Sequence, residues 1–443
     1  MVSGLGSSTY RKVFDSERGE YARWNVVPNI ETLASYSFMT QTIELADFGS
    51  KDYKSAISGV PSLQKKATVL LAHEYRHWLD HIGSLWGQQM LILGYNSLNA
   101  RLLNRPEELW RTVKFRQALR DNRFERYYQT IESIEPREHR RKWKYQMSSG
   151  ARFDHNGRMS EQHPILFTRF AWEDGTMACR VPMSVAALLE TSAMCFELHA
   201  EKSFITSLPE KAQSAAWESV QNRLLDSMYD PELAEYSVAV HAVSNFVGPR
   251  DCESAFDLAA ILAGIALNLT ENHFGQLRIP ESVHRWGDRN DAFLANLDRG
   301  YAFLILAAVA PRVPFRNVDE WVEQTLEAAG LPNLERIKAD AIAAAEALSD
   351  DLVDGPFSHL REKHRLAGMQ LLSENGPIFK FTDFVRRLTD GSISAPPIVL
   401  GKDLAIAADG EILDWDASPV SAQMQSLLSA FNQCDEFTDA CGI

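Results

Sequence analysis

Two histidines four residues apart, with a glutamate directly after the first, stand in the stretch Ala72-His73-Glu74-Tyr75-Arg76-His77-Trp78-Leu79-Asp80-His81. On a helix, His73 and His77 lie one above the other and can close on a single divalent cation. Glu74 then sits one position round, beside the open coordination position. A carboxylate placed there can take a proton from a water held by the metal, which is the minimum for metal-assisted hydrolysis. With 12 histidines in 443 residues, a chain of this composition holds the pattern by chance about 0.02 times. The competing account of the same residues is a pair of core histidines hydrogen-bonded to carboxylates.

The element that must carry this pattern is well marked. Pro61-Ser62 offers a helix start, residues 63–82 contain no Gly or Pro, and Gly83 supplies a stop. Val69, Leu70, Tyr75, Trp78, Leu79, Ile82 and Leu85 spread apolar surface over much of the circumference, so the helix is expected to be buried. Inward-facing histidines need partners, and a metal ion is an economical one. The run His73-Glu74-Tyr75-Arg76-His77 resembles the HExxH motif of the zincin metallopeptidases, over about 20 residues. The resemblance implies that His73 and His77 bind Zn2+, that Glu74 is the catalytic residue activating the metal-bound water, and that the reaction is hydrolysis of a protein or peptide substrate.

Zincins differ in the origin of the third protein ligand. The metzincin extension needs Gly and His three and six residues after His77, where this chain has Asp80 and Gly83. His81 lies a turn beyond His77, but four residues rise about 6 Å, too far for a straight helix to close three imidazoles on one ion. Asp80 and His81 are therefore read as groups that orient a ligand imidazole or end the helix. A glutamate from a later helix is the solution of the gluzincin branch. The run Met183 to Glu201 reads as such a helix, with Ser184 as its cap. Glu190, set among Ala186, Ala187, Leu188, Leu189, Ala193 and Met194, is the expected metal ligand, because a carboxylate in apolar surroundings must pair or coordinate. Glu197, two turns on, is the reserve ligand, a structural ion pair is the competing role, and Glu201 is expected to face solvent. The long separation of His77 from Glu190 implies an insertion.

At 45% hydrophobic and 10% aromatic residues, the chain can bury a large core. The fold class expected is mainly α with a small β component (α+β), a zincin-like catalytic core with a long helical insertion and a helical C-terminal region. The divisions expected are N-terminal strands and the motif helix (1–100), a basic helical insertion (101–180), third-ligand helices (181–250), a helical domain (251–390), and short strands with a last helix (391–443). Residues 36–45 read as one or two strands beside the motif helix, where zincins take up substrate backbone as an added strand. Helices are expected at 111–134, 184–205, 212–229, 232–246, 255–269, 292–310, 318–329, 334–348 and 420–431. No secretory leader or spanning apolar run is apparent, and five scattered cysteines suit reduced thiols, so a cytoplasmic protein with no membrane partner is expected.

The net charge of −14 argues against nucleic acid as a partner. Between Arg101 and Ser160, however, Lys and Arg exceed Asp and Glu by seven, densest at Arg137-Glu138-His139-Arg140-Arg141-Lys142-Trp143-Lys144. That segment is either an internal contact with the acidic remainder or a docking face for an acidic partner. Tyr236 and His241, in an apolar helix, are candidate transition-state stabilisers, although a core role suits both. Two other function classes compete with the peptidase. One is a zincin-fold binding or regulatory protein without turnover. The other is a di-iron helical oxidoreductase, which would use the Glu-x-x-His pairs Glu74/His77 and Glu281/His284 with Glu190 and Glu197 as bridges.

Overall fold

Residues 61–83 form the helix the motif requires, and it packs against the later helix that carries Glu190. The structure, a computed structural model, describes residues 26, 34–46, 48–131, 143–153, 157–401, 404–408 and 410–442. Strands β1 (Ser35–Ser37) and β2 (Thr42–Leu45) form an antiparallel pair with Tyr36 opposite Ile43. Helices α1 (Ser50–Ile57), α2 (Pro61–Gly83), α3 (Leu85–Leu102) and α4 (Trp110–Asn122) follow. Pro61 opens α2 at a position where its missing N–H costs nothing. Ser84, in extended backbone, ends it: its hydroxyl donates to Asp80 O at 2.5 Å and accepts from Gly87 N at 3.0 Å, which caps α3.

Between α4 and the Glu190 helix the expectation of a helical insertion is overturned. The helix expected at 111–134 stops at Asn122, and the described residues between Thr130 and Pro182 include four strands that form an antiparallel sheet in the order β3-β6-β5-β4. Its strands are β3 (Thr130–Ile131), β4 (Lys144–Phe153), β5 (Met159–Ala171) and β6 (Met177–Pro182). The physical cause is period-two burial along β4, where exposed and half-buried residues alternate, and the buried run Ile165-Leu166-Phe167-Thr168 in β5. Ser148-Ser149-Gly150 and the abundant Lys and Arg hide that alternation in the sequence.

The later helices are α5 (Val185–Thr206), α6 (Glu210–Met228), α7 (Ala234–Phe246), α8 (Cys252–Leu267), α9 (Glu271–Phe274), α10 (Asp288–Ala295), α11 (Arg299–Val309), α12 (Val318–Ala329), α13 (Leu334–Ala347), α14 (Ser358–Asn375) and α15 (Phe381–Thr389). The single helix expected over 292–310 is broken between α10 and α11, where Leu297 takes a positive φ of 53° and Asp298 caps α11 through Tyr301 N. Strands β7 (Ile398–Leu400), β8 (Leu404–Ile406) and β9 (Ile412–Asp414) precede the last helix, α16 (Pro419–Ala440), which runs well beyond the expected 420–431. β7 pairs parallel with β2, Ile43 opposite Ile398, to give the sheet β1-β2-β7-β8-β9.

Two large apolar cores result. One gathers α7, α8, α11 and one face of the antiparallel sheet. The other gathers the mixed sheet, α2, α3 and α16. α5 belongs to both: Ala187, Leu188, Cys195 and Leu198 enter the first, and Val185, Ala186, Leu189, Phe196 and Ala200 the second. A helix apolar all round is what a shared wall between two cores demands. α14 crosses the C-terminal end of α2 so closely that a Cβ on Gly368 would stand 1.8 Å from Ile82 O and 2.1 Å from Gln88 Nε2. The chain is thus mostly helical with small sheets, and among the described residues no single helix is long and apolar enough to cross a membrane.

Candidate metal centre

α2 and α5 pack face to face, and the site lies where His73 and His77 meet Glu190. His73 Nε2 and His77 Nε2 are 3.1 Å apart. Glu190 Oε2 stands 3.3 Å from the first and 3.7 Å from the second. Donors bonded at about 2.0–2.1 Å in a tetrahedral set lie roughly 3.3 Å from one another. The three separations match that spacing without any movement of the backbone. The imidazole rings are nearly perpendicular, at 78°.

The chemistry of the donor set also fits a cation. Glu190 is 1% exposed, and neither of its oxygens meets a hydrogen bond of good geometry among the described residues. Burial pushes its carboxyl up, but the two imidazoles overcome that and hold it below the usual value. Burial likewise pulls His73 down, and the Glu190 and Glu197 carboxylates outweigh it. A buried carboxylate set between two imidazoles offers one donor atom from each of three residues, a group that could hold a divalent ion.

Glu197, the reserve ligand, meets the other ring nitrogen: its Oε2 lies 3.5 Å from His73 Nδ1. It therefore orients the imidazole from behind while Glu190 shares the front. The expected outcome is that Glu190→Gln weakens zinc binding by about 100-fold or more and Glu197→Gln by about 10-fold. Equilibrium competition against a chelator measures both, and the reverse order would make Glu197 the ligand. Glu201, expected in solvent, is instead 3% exposed and paired with Lys65 at 2.9 Å and with Arg223.

Glu74 is buried beside this cluster, and the N–H of Tyr36 on β1 holds its carboxylate. Burial raises its pKa against the pull of His73 and His77, and Glu190 adds to the rise. Tyr36 is held in turn, its hydroxyl 2.9 Å from His81 Nδ1. His81 thus secures the strand that positions Glu74, and neither orients a ligand imidazole nor ends the helix. Asp80 differs from expectation in the same way: its Oδ2 accepts from Arg76 Nε at 3.0 Å, and Arg76 Nη1 donates to Phe379 O at 3.2 Å. The guanidinium lies over Phe196 and Phe379, so this buried pair ties α2 to α5 and to the turn before α15.

His241 stands apart from the centre, which removes it as a transition-state stabiliser. It is buried among Trp143, Phe170 and Tyr229, with Nε2 2.9 Å from Met228 O. Burial lowers its pKa to about 4. Because the unfolded imidazole titrates near ~6.5, the unfolded chain alone takes up that proton as pH falls between the two values, and stability is lost there at about 1.4 kcal/mol per unit. Relative to His241→Phe, the wild type is expected to lose about 2 kcal/mol between pH 7 and pH 5. Urea titration of both proteins checks it, and a pH-independent gap contradicts it.

Tyr236 is half-buried at the start of α7. Its neighbour Glu235, which sequence reasoning missed, lies within electrostatic reach of Glu190: burial raises its carboxyl to about 7, Arg123 opposes, and the Glu190 carboxylate adds to the rise. The one available signal was a carboxylate in an apolar helix, the argument applied to Glu190. Glu281 and His284 are exposed on a short 3-10 turn, with His284 Nε2 bonded to Ile279 O at 3.0 Å. Nothing brings them to Glu190, so the di-iron arrangement lacks its second pair. Of Arg137 to Lys144, residues 137–142 lie outside the described residues, Trp143 is buried against His241, and Lys144 Nζ donates to Glu173 O at 2.6 Å. Comparison of the chain with family models, with curated proteins and with solved structures gives no match.

Proposed function

We propose that this chain is a zinc-dependent metallopeptidase that hydrolyses peptide bonds of a restricted protein substrate. One observation carries the reading: His73 Nε2, His77 Nε2 and Glu190 Oε2 converge at tetrahedral spacing beside a buried Glu74. Bound zinc would supply Lewis acidity toward a water and a scissile carbonyl. His73, His77 and Glu190 hold it. Glu74 takes the proton of the attacking water and passes it to the leaving amine, its position set by Tyr36 N–H. The raised pKa of Glu74 suits a group that must hold a proton between those two steps. Among the described residues β1 ends its sheet and packs on α2, and this is the place proposed for an extended substrate segment. The basic segment at Arg137 to Lys144 is the proposed contact for an acidic substrate surface.

The test is proteomic. Wild type and Glu74→Gln are expressed in the same cells, and new peptide termini present only with the wild type identify the substrate. Equal terminal profiles, with zinc bound in both proteins, would sink the peptidase in favour of the binding or regulatory protein. In addition, His73→Ala and His77→Ala should each abolish zinc binding at this centre, because two remaining donors cannot hold the ion.

A further inference from the structure

α5 carries a second set of donors on its opposite face. Glu190 and Glu197, seven residues apart, point toward α2. Cys195 and His199 lie roughly 140° and 180° round the helix from Glu190 and face α8. There they meet Asp257: Cys195 Sγ donates to Asp257 Oδ1 at 3.3 Å, and His199 Nε2 is 2.7 Å from the same oxygen. One donor atom from each of the three falls within 4.8 Å of the others. Glu253, one turn before Asp257 on α8, lies within electrostatic reach of both Cys195 and His199 and is held by Lys202.

We infer that Cys195, His199 and Asp257 form a second zinc site that clamps α5 to α8, with Glu253 or water as the fourth ligand. Pairs of donors at i and i+4 on two facing helices place four groups round a common point. Thiolate, imidazole and carboxylate together select zinc or cobalt rather than calcium or magnesium. The thiolate and carboxylate charges balance the ion, which suits the site's half-buried setting. Cys195 is 6% exposed, while His199 and Asp257 are partly open to solvent, so the ion has a way in. Phe381 lies parallel to the His199 ring, 6.2 Å between centroids, and fixes its plane. Binding releases the thiol proton, and that of His199 where it carries one, to solvent. The 2.7 Å contact between His199 and Asp257 opens to about 3.3 Å as both turn from each other to the ion. No bond in the substrate is involved, and the inference stands independently of the peptidase reading.

Cobalt distinguishes the two sites, because a thiolate bound to Co2+ gives an intense near-ultraviolet charge-transfer band and the His73, His77, Glu190 set contains no sulfur. The zinc-loaded wild type should hold two ions per chain, and the cobalt-loaded protein should show the band. Cys195→Ser should remove the band and lower the stoichiometry to one. His199→Gln should weaken the second ion at least tenfold, and His73→Ala should remove the other ion while the band remains. Thermal melting of the wild type should rise on adding the second equivalent of zinc, and this rise should be absent in Cys195→Ser. A cobalt-loaded wild type without the band, or a band that survives Cys195→Ser, overturns the proposal, whatever the His73, His77, Glu190 set binds. If the band is present and Glu74→Gln changes no cellular termini, the second site stands and the peptidase reading fails.

Discussion

Glu74→Gln is expected to keep its full zinc complement and to lose turnover by about 10²- to 10⁴-fold. The amide matches the carboxylate in size, so α2 packs as before, and its oxygen still accepts from Tyr36 N–H. What it cannot do is take a proton from water. The ligands His73, His77 and Glu190 are untouched, which separates loss of chemistry from loss of the metal. Single-turnover cleavage of the substrate identified in cells, beside elemental analysis of the same sample, measures both quantities. A variant retaining more than about a tenth of wild-type cleavage would remove Glu74 from the proton path. Loss of zinc in step with activity would make it a structural support instead.

Gly368→Ala is the largest expected effect on stability, about 3 kcal/mol or more. The added Cβ would fall 1.8 Å from Ile82 O and 2.1 Å from Gln88 Nε2. Neither atom can retreat easily: Ile82 is in the last turn of α2, and the Gln88 amide donates to that same carbonyl. The helices must part or the hydrogen bond must break, and both loosen α14 against the end of α2. Chemical denaturation measures the loss. Gln88→Ala in the same background should recover part of it by vacating the space, and a wild-type midpoint for Gly368→Ala would refute the close crossing.

That His73, His77 and Glu190 come together was legible because helix geometry is local. Spacing alone put His73 over His77, and the cost of a lone carboxylate among alanines and leucines singled out Glu190. Which ring nitrogen Glu197 would meet was not legible, since it depends on the rotation of α5 against α2. His81 and Asp80 misled for a related reason. His81 meets Tyr36 on β1, a distant part of the chain, while Asp80 is taken by Arg76 one turn away on α2, which also donates to the distant carbonyl of Phe379. The sheet was missed because the alternation in β4 is carried by charged and small polar residues, while β5 has no alternation and is instead a continuous buried run after an exposed polar start. Cys195 and His199 carry an i, i+4 signal like that of His73 and His77, but Asp257 gives it meaning only once α8 is packed on α5.

The parallel pairing of β2 with β7 sets an order of events during synthesis. Some 350 residues separate the two strands, so a nascent chain has the β1-β2 hairpin long before the neighbour that completes its sheet. An isolated two-stranded hairpin is at best marginally stable in water, and Tyr36, whose N–H holds Glu74, lies in it. α2 and α5 can meet as soon as residue 206 has left the ribosome, so the proposed zinc ion could be captured early. The proton acceptor is fixed only after residue 400. In the proposed peptidase, a chain still attached to the ribosome would be loaded but silent, spared from cutting itself or the chaperones that tend it.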